Sequence, residues 1–141
     1  EETLGVKVLA GDWTLPVKDN WKKVGGVCGA GGSMCIDTTT TAAGMYEIGW
    51  VAPCELSANG TNWGKLQVLY GSSKTIDSEQ FTDEDGSSAT PTSCEFSGST
   101  LLVLQKNTSY NIRLQARKNT GGSTFKVLSG AILRADLLVP F

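Results

Sequence analysis

The side chains here whose types could do chemistry are four cysteines, fourteen carboxylates and four tryptophans; histidine is absent. Without histidine the commonest general base near neutral pH and the commonest metal ligand are both missing, so Ser-His, Cys-His and most zinc chemistry cannot be assembled. Hydrolysis by a carboxylate pair needs two acids on facing walls of a cleft, and no spacing of the acids suggests one. The expectation is a chain that catalyses nothing and carries no cofactor.

Cys28, Cys35, Cys54 and Cys94 are an even set that can pair in more than one way. Zinc would want a close pair of ligands in each half, and Cys28 and Cys35 alone come near that, with too many residues between them. The preferred pairing joins Cys28 to Cys35 across a glycine-rich segment, and Cys54 to Cys94, which ties the long polar segment 72–93 to the body. Four buried, reduced thiols are the alternative. If the bridges form, the protein matures in an oxidising place or meets one after release.

Asp83, Glu84 and Asp85 could offer hard oxygen ligands to calcium, although no EF-hand spacing is present; a solvated acidic loop is the plainer reading. Arg113, Arg117 and Lys118 make a basic row, read as a polar outer face or one side of a charge contact between subunits. Trp13, Trp21 and Trp63 sit beside turn residues, where an indole either stacks on a sugar ring or caps the end of a core. Trp63, with Asn62 and Lys65 close in sequence, is the preferred contact for a glycan or receptor. Asn59 and Asn107 begin N-glycosylation sequons, which would matter only on a eukaryotic secretory route.

The elements that must position these groups are strands. Apolar residues alternate with period two, and turn clusters interrupt them at short intervals, as in an antiparallel all-β domain. Tyr110 to Arg117 alternates cleanly, and the turn-rich segment 118–123 suggests a hairpin returning through Thr124 to Leu128. Further strands are expected at 6–9, 13–17, 34–37, 45–52, 65–70, 94–96, 101–105 and 131–139. About ten short strands are too many for one open sheet of ordinary size, so a β-sandwich or jelly roll follows. The segment 131–139 is apolar on both faces except at Arg134 and Asp136, so it must be central in its sheet or buried between subunits.

With 141 residues, 40% of them hydrophobic, the chain is expected to be one domain over 1–141. A net charge of −2 argues against nucleic acid as a partner. No apolar run is long enough to span a membrane. The chain begins at Glu1 rather than methionine, so removal of a leader is one expectation. Residues 1–9 could anchor the domain to a capsid or appendage protein by adding a strand to a neighbour.

Ala43 to Trp50, with Gly44 and Tyr46 after the threonine-rich lead-in Asp37 to Thr41, resembles the Gly-x-Tyr strand of complement-C1q and tumour-necrosis-factor-like jelly rolls. Leu102 to Leu114 is similar to that family's pair of strands joined by a tight turn, and Thr124 to Leu133 to its penultimate hairpin and closing strand. The likeness covers roughly 34–141. Asn107-Thr108-Ser109 stands where members often carry Gly-Asp, and the Cys28 to Cys35 insert has no counterpart. The resemblance implies a homotrimer whose aromatic and aliphatic side chains meet on an axis, with Tyr46, Trp50, Tyr110 and Leu138 as candidates; ordinary core is the alternative for each. Such folds serve in binding and assembly. The expected function is a structural or adhesive module on an exterior surface, such as a virion decoration, head-fibre or spike-tip protein able to bind host glycans. A secreted C1q-like, cytokine-like or lectin-like recognition module is the alternative, and either places the chain outside the cell or on a virion surface.

Overall fold

The computed structural model describes all residues except 1, 19, 30, 58–59, 87–89 and 121, together with the side chains of 2, 60–61 and 84–86. The described residues form strands and turns without helices. The longest strand is β5 (Gly44–Ser57), reached after β1 (Glu2–Val8), β2 (Trp13–Thr14), β3 (Lys22–Lys23) and β4 (Cys35–Thr39). Then come β6 (Gly60–Tyr70), β7 (Lys74–Gly86), β8 (Thr92–Leu104), β9 (Ser109–Lys118), β10 (Thr124–Val127) and β11 (Ile132–Pro140).

Every strand pairing is antiparallel, and the strands form two sheets. In the first, β1, β11, β5 and β8 lie side by side, while β10 and β2 continue the sheet along the second half of β5. The second runs β4 or β3, then β9, β6 and β7. The chain passes between sheets at β2 to β3, β4 to β5, β5 to β6, β7 to β8, β8 to β9 and β9 to β10. Winding back and forth in this way places chain-distant strands side by side, which is the jelly-roll form of sandwich.

Alternation makes the core. Tyr46, Ile48, Trp50, Ala52, Cys54 and Leu56 of β5 are buried and face Ile112, Leu114, Ala116, Leu66 and Val68 of the second sheet. Two positions are glycines because aromatic rings occupy their side-chain space, one across a strand pair and one across the sandwich. A Cβ on Gly98 would lie 2.8 Å from the Trp50 ring, and one on Gly64 would lie 2.7 Å from Phe125.

Four expectations about the elements change. Residues 118–123 do not close a hairpin: β9 belongs to the second sheet and β10 to the first, pairing β5 and β2, so the turn is a crossover. Within it Lys118 Nζ donates to Ser123 O at 2.6 Å and Ser123 Oγ donates to Thr120 O at 2.9 Å. The polar segment 72–93 contains β7, a 13-residue edge strand. Residues 94–96 and 101–105 are parts of the single strand β8, continuous through Gly98. The strand foreseen over 13–17 stops after Thr14, just short of Pro16, which has no N–H to give a ladder.

Both preferred disulfides are present, Cys28 with Cys35 and Cys54 with Cys94. The second joins directly opposed residues of β5 and β8. The sequence separations are 7 and 40, and loop-closure entropy favours the longer one by about 1.5 kcal/mol. Replacing Cys54 and Cys94 with serine is expected to lower unfolding free energy by more than the same change at Cys28 and Cys35; urea denaturation of the two double variants measures the difference.

Candidate assembly face and ligand contacts

Directly opposed residues in an antiparallel ladder place their side chains on one face, so register defines what the first sheet shows on its outer side. Val8 opposes Ile132, which opposes Val51. The next row holds Val6, Arg134 and Gly49, and the one after it Asp136, Glu47 and Leu101. Val139, Met45 and Val103 form the row at the far end. Val6, Val8, Val51, Leu101, Val103, Ile132, Leu138 and Val139 are 36% to 55% exposed in the single chain. Single exposed apolar residues need no explanation, whereas clustered ones point to a surface used in association; here they form two groups, Val8, Ile132 and Val51 at one end and Leu101, Val103, Met45 and Val139 at the other, on either side of a charged row.

A charge cluster sits within this face. Arg134 Nη1 lies 3.0 Å from Glu47 Oε1 and 2.8 Å from Asp136 Oδ2. Hydrogen bonding to Asp136, and then to Glu47, raises the Arg134 pKa further above its already high ordinary value. The guanidinium lies over Gly49, where a Cβ would approach it to 2.9 Å. In the open single chain water screens these pairs, so each contributes at most about 1 kcal/mol; covering them would strengthen the attraction.

The four residues suggested for a trimer axis fall in different places. Tyr46 and Trp50 are only 1% and 3% exposed and belong to the chain's own core, on the inner side of β5. The Tyr46 hydroxyl donates to Ala42 O at 2.7 Å, and the Trp50 ring packs 5.8 Å from that of Phe96. Tyr110 is half-buried in the second sheet, its hydroxyl accepting from Gln105 N at 2.8 Å. Leu138 does lie exposed on β11 beside the apolar face. The other residues of that face were not singled out from sequence; the two-sided apolar pattern of the last strand was the available signal. β11 is central as that pattern requires, with β1 on one edge and β5 on the other.

Trp63 and Lys65 are brought together, whereas Asn62 is not. Consecutive strand residues point to opposite faces, so Asn62 turns inward, 4% exposed, while Trp63 and Lys65 are half-buried on the other side of β6. Lys65 Nζ lies 4.8 Å from the Trp63 ring centre, and Arg117 Cζ lies 6.0 Å from it, so cations already occupy the indole. Trp13 and Trp21 instead line one groove with Lys22 and Lys23. Asp83 lies in β7 rather than a loop and accepts a hydrogen bond from Thr92 Oγ1. The side chains of Glu84 and Asp85 are outside the described residues, as is Asn59. Asn107 is exposed at the β8–β9 turn with φ of 55°, a left-handed conformation that asparagine tolerates better than most residues.

The basic row is largely structural. Arg113 is 9% exposed and donates to Gly71 O at 2.9 Å and Ser72 O at 3.2 Å, fastening the β6–β7 turn. Lys118 turns inward at the crossover. Burial lowers the Lys118 pKa from its ordinary 10.5. Between the lowered value and 10.5 the unfolded chain therefore binds more protons than the folded one, so this group's contribution to stability rises with pH. Urea unfolding across the alkaline range is expected to show the parent gaining stability relative to Lys118→Met as pH rises.

By sequence, no protein-family model and no curated protein matches the chain. Among solved structures it is similar to one of infectious bursal disease virus Gt strain, at 12% identity and a TM-score of 0.43, over 96% of this chain and 35% of that one. A structure of the Gx strain aligns at 14% identity and a TM-score of 0.41, over 94% of this chain and 31% of the other. Dimeric latent PorU from Porphyromonas gingivalis aligns at 15% identity and a TM-score of 0.46, over 95% of this chain and 14% of that one. The chain thus spans about a third or less of each of these longer chains.

Proposed function

We propose that this chain is a non-catalytic structural and adhesive module of an exterior surface, of the kind a virus particle carries as a decoration, head-fibre or spike-tip protein, and that it works as a homotrimer. The observation that carries the reading is the apolar outer face of β1, β11, β5 and β8, with Leu101, Val103, Val51 and Ile132 exposed around the Arg134 cluster. Burying such side chains recovers about 25 cal/mol per Å² of apolar surface, and closed symmetry lets identical copies do so without leaving a copy of the face uncovered. Two disulfides in a small domain suit an oxidising exterior. β1, at the edge of the first sheet, is the element through which residues 1–9 would engage a capsid or appendage protein.

The secreted recognition module is the second reading, favoured by the exposed position of Asn107 at a turn. Glycan found on Asn107 by mass spectrometry of the naturally produced protein would select it.

Sedimentation velocity at micromolar concentration tests the assembly. The expected mass is near three times 14.9 kDa, falling to a single 14.9 kDa for Leu101→Asp with the circular dichroism spectrum preserved and the melting temperature lowered by the loss of subunit contacts. A parent protein that stays at 14.9 kDa at millimolar concentration would overturn the trimer.

A further inference from the structure

The groove between β2 and β3 is separate from the apolar face. β2 pairs with β10 at the edge of the first sheet, and β3 pairs with β9 in the second. Where these short strands flank the gap between sheets, a concavity of about 310 Å³ is lined by Trp13, Trp21, Lys22, Lys23 and Gln115, with Val27 at its rim. That volume is at the small end of ligand sites, enough for one or two rings. Both indoles are half-buried, each keeping part of its surface open. Neither lysine has a salt-bridge partner among the described residues, so the groove holds uncompensated positive charge in a chain of net charge −2.

The walls are tied down before any ligand arrives. Val24 N donates to Leu114 O at 2.9 Å, Met34 N donates to Val24 O at 2.9 Å, and the Cys28–Cys35 bridge closes the loop directly after Val27. Gln67 Nε2 donates to Gln115 Oε1 at 2.9 Å, which fixes the Gln115 amide and leaves its Nε2 side for donation. Fixed walls reduce the ordering cost of binding.

We infer that this groove binds an anionic saccharide: a pyranose whose C–H face lies on the indoles of Trp13 and Trp21 and whose carboxylate or sulfate is held by Lys23, which opposes Gln115 in the ladder, with Lys22 adding positive charge from the neighbouring position. Two indoles match the apolar face of a sugar ring, the lysines act as point charges for its acid group, and Gln115 can donate to a hydroxyl. A nucleic acid strand would need a longer cationic track than one pair of lysines in an acidic chain. The inference deepens the adhesive part of the proposed function and does not depend on the trimer.

Saturation-transfer NMR on the full chain, with sialyllactose, a sulfated disaccharide, lactose and adenosine monophosphate as probes, tests it. One anionic sugar is expected to bind at least about tenfold more tightly than lactose, with affinity falling as salt rises. Response to sialyllactose alone assigns the acid as a carboxylate, and response to the sulfated sugar alone assigns it as a sulfate. Trp21→Ala should abolish the signal, and Lys22→Gln combined with Lys23→Gln should weaken the anionic probe by about tenfold or more while leaving the lactose signal unchanged. Trp21→Phe, which keeps an aromatic face, should retain part of the binding if Trp21→Ala proves unstable. Trp63→Ala should bind like the parent. Equal binding of lactose and the anionic sugars, preference for adenosine monophosphate, no binding by any probe, or binding indifferent to both Trp21 and the lysines would overturn the inference. Repeating the titration on Leu101→Asp separates the two readings, because the groove should bind sugar whether or not the copies assemble.

Discussion

The structure depends on β5 being paired along both edges over nearly its whole length. One edge is taken by β8 and the other by β11 and then β10; in the gap between those two ladders the Pro53 carbonyl accepts from Leu128 N at 2.8 Å. Once both edges are filled, only the two faces remain variable, and period-two alternation makes them different surfaces. The inner one, with Tyr46, Ile48, Trp50 and Leu56, packs the sandwich. The outer one, with Met45, Glu47, Gly49 and Val51, is the floor on which β11 and β8 lay the apolar face and its charges. The Cys54–Cys94 bridge fixes the register of β5 on β8, and a one-residue slip would exchange the two faces.

This division explains what could be read from the sequence. The inward set of β9, Ile112, Leu114 and Ala116, is legible because alternation is local, and so is the count of strands to within one or two. The pairing of the cysteines was legible from spacing and the need to tie down a long segment. Partnership between strands is not local. Residues 118–123 carry the glycine and polar side chains of a hairpin turn, yet the same chemistry serves a crossover, and what decides is that β9 lies between β4 and β6 while β10 fits beside β5. β7 was hidden because an edge strand paired on one side can be acidic and polar almost throughout; Ile76 and Phe81 are its principal apolar contacts with the core. Such charges also discourage further pairing at its outer edge.

Functional residues were less legible for the same reason. Asn62, Trp63 and Lys65 are neighbours in sequence, yet alternation turns Asn62 away from the other two; Trp13 and Trp21 are apart in sequence, and two sheet edges bring them together. Proximity along a strand is a poor guide to a site, because a site on a sandwich is composed across strands. Tyr46 and Trp50 illustrate the converse. Large aromatics inside a strongly alternating strand belong first to the local core, and an outward-facing residue must come from the opposite phase of the same strand, as Val51 does.

The outer face also shows how an apolar surface can be selective. A purely aliphatic sheet would associate with any other apolar sheet, in many registers. Embedding Arg134 between Glu47 and Asp136 changes this, since a partner that covers the cluster without matching it would strip water from three charged groups. Misplaced coverage is therefore penalised, and only an arrangement that keeps the ion pairs solvated or complements them gains the apolar area. Gly49 is part of the device, because any side chain there would push the guanidinium off the sheet. The groove of Trp13 and Trp21 lies between the sheets rather than on this outer face, so closing the face by assembly leaves the groove open, and a cluster of copies would present several grooves at once. Under the proposed assembly, weak binding at each would be multiplied by the geometry of the cluster, and adhesion would then depend on the same strand alternation that forms the core.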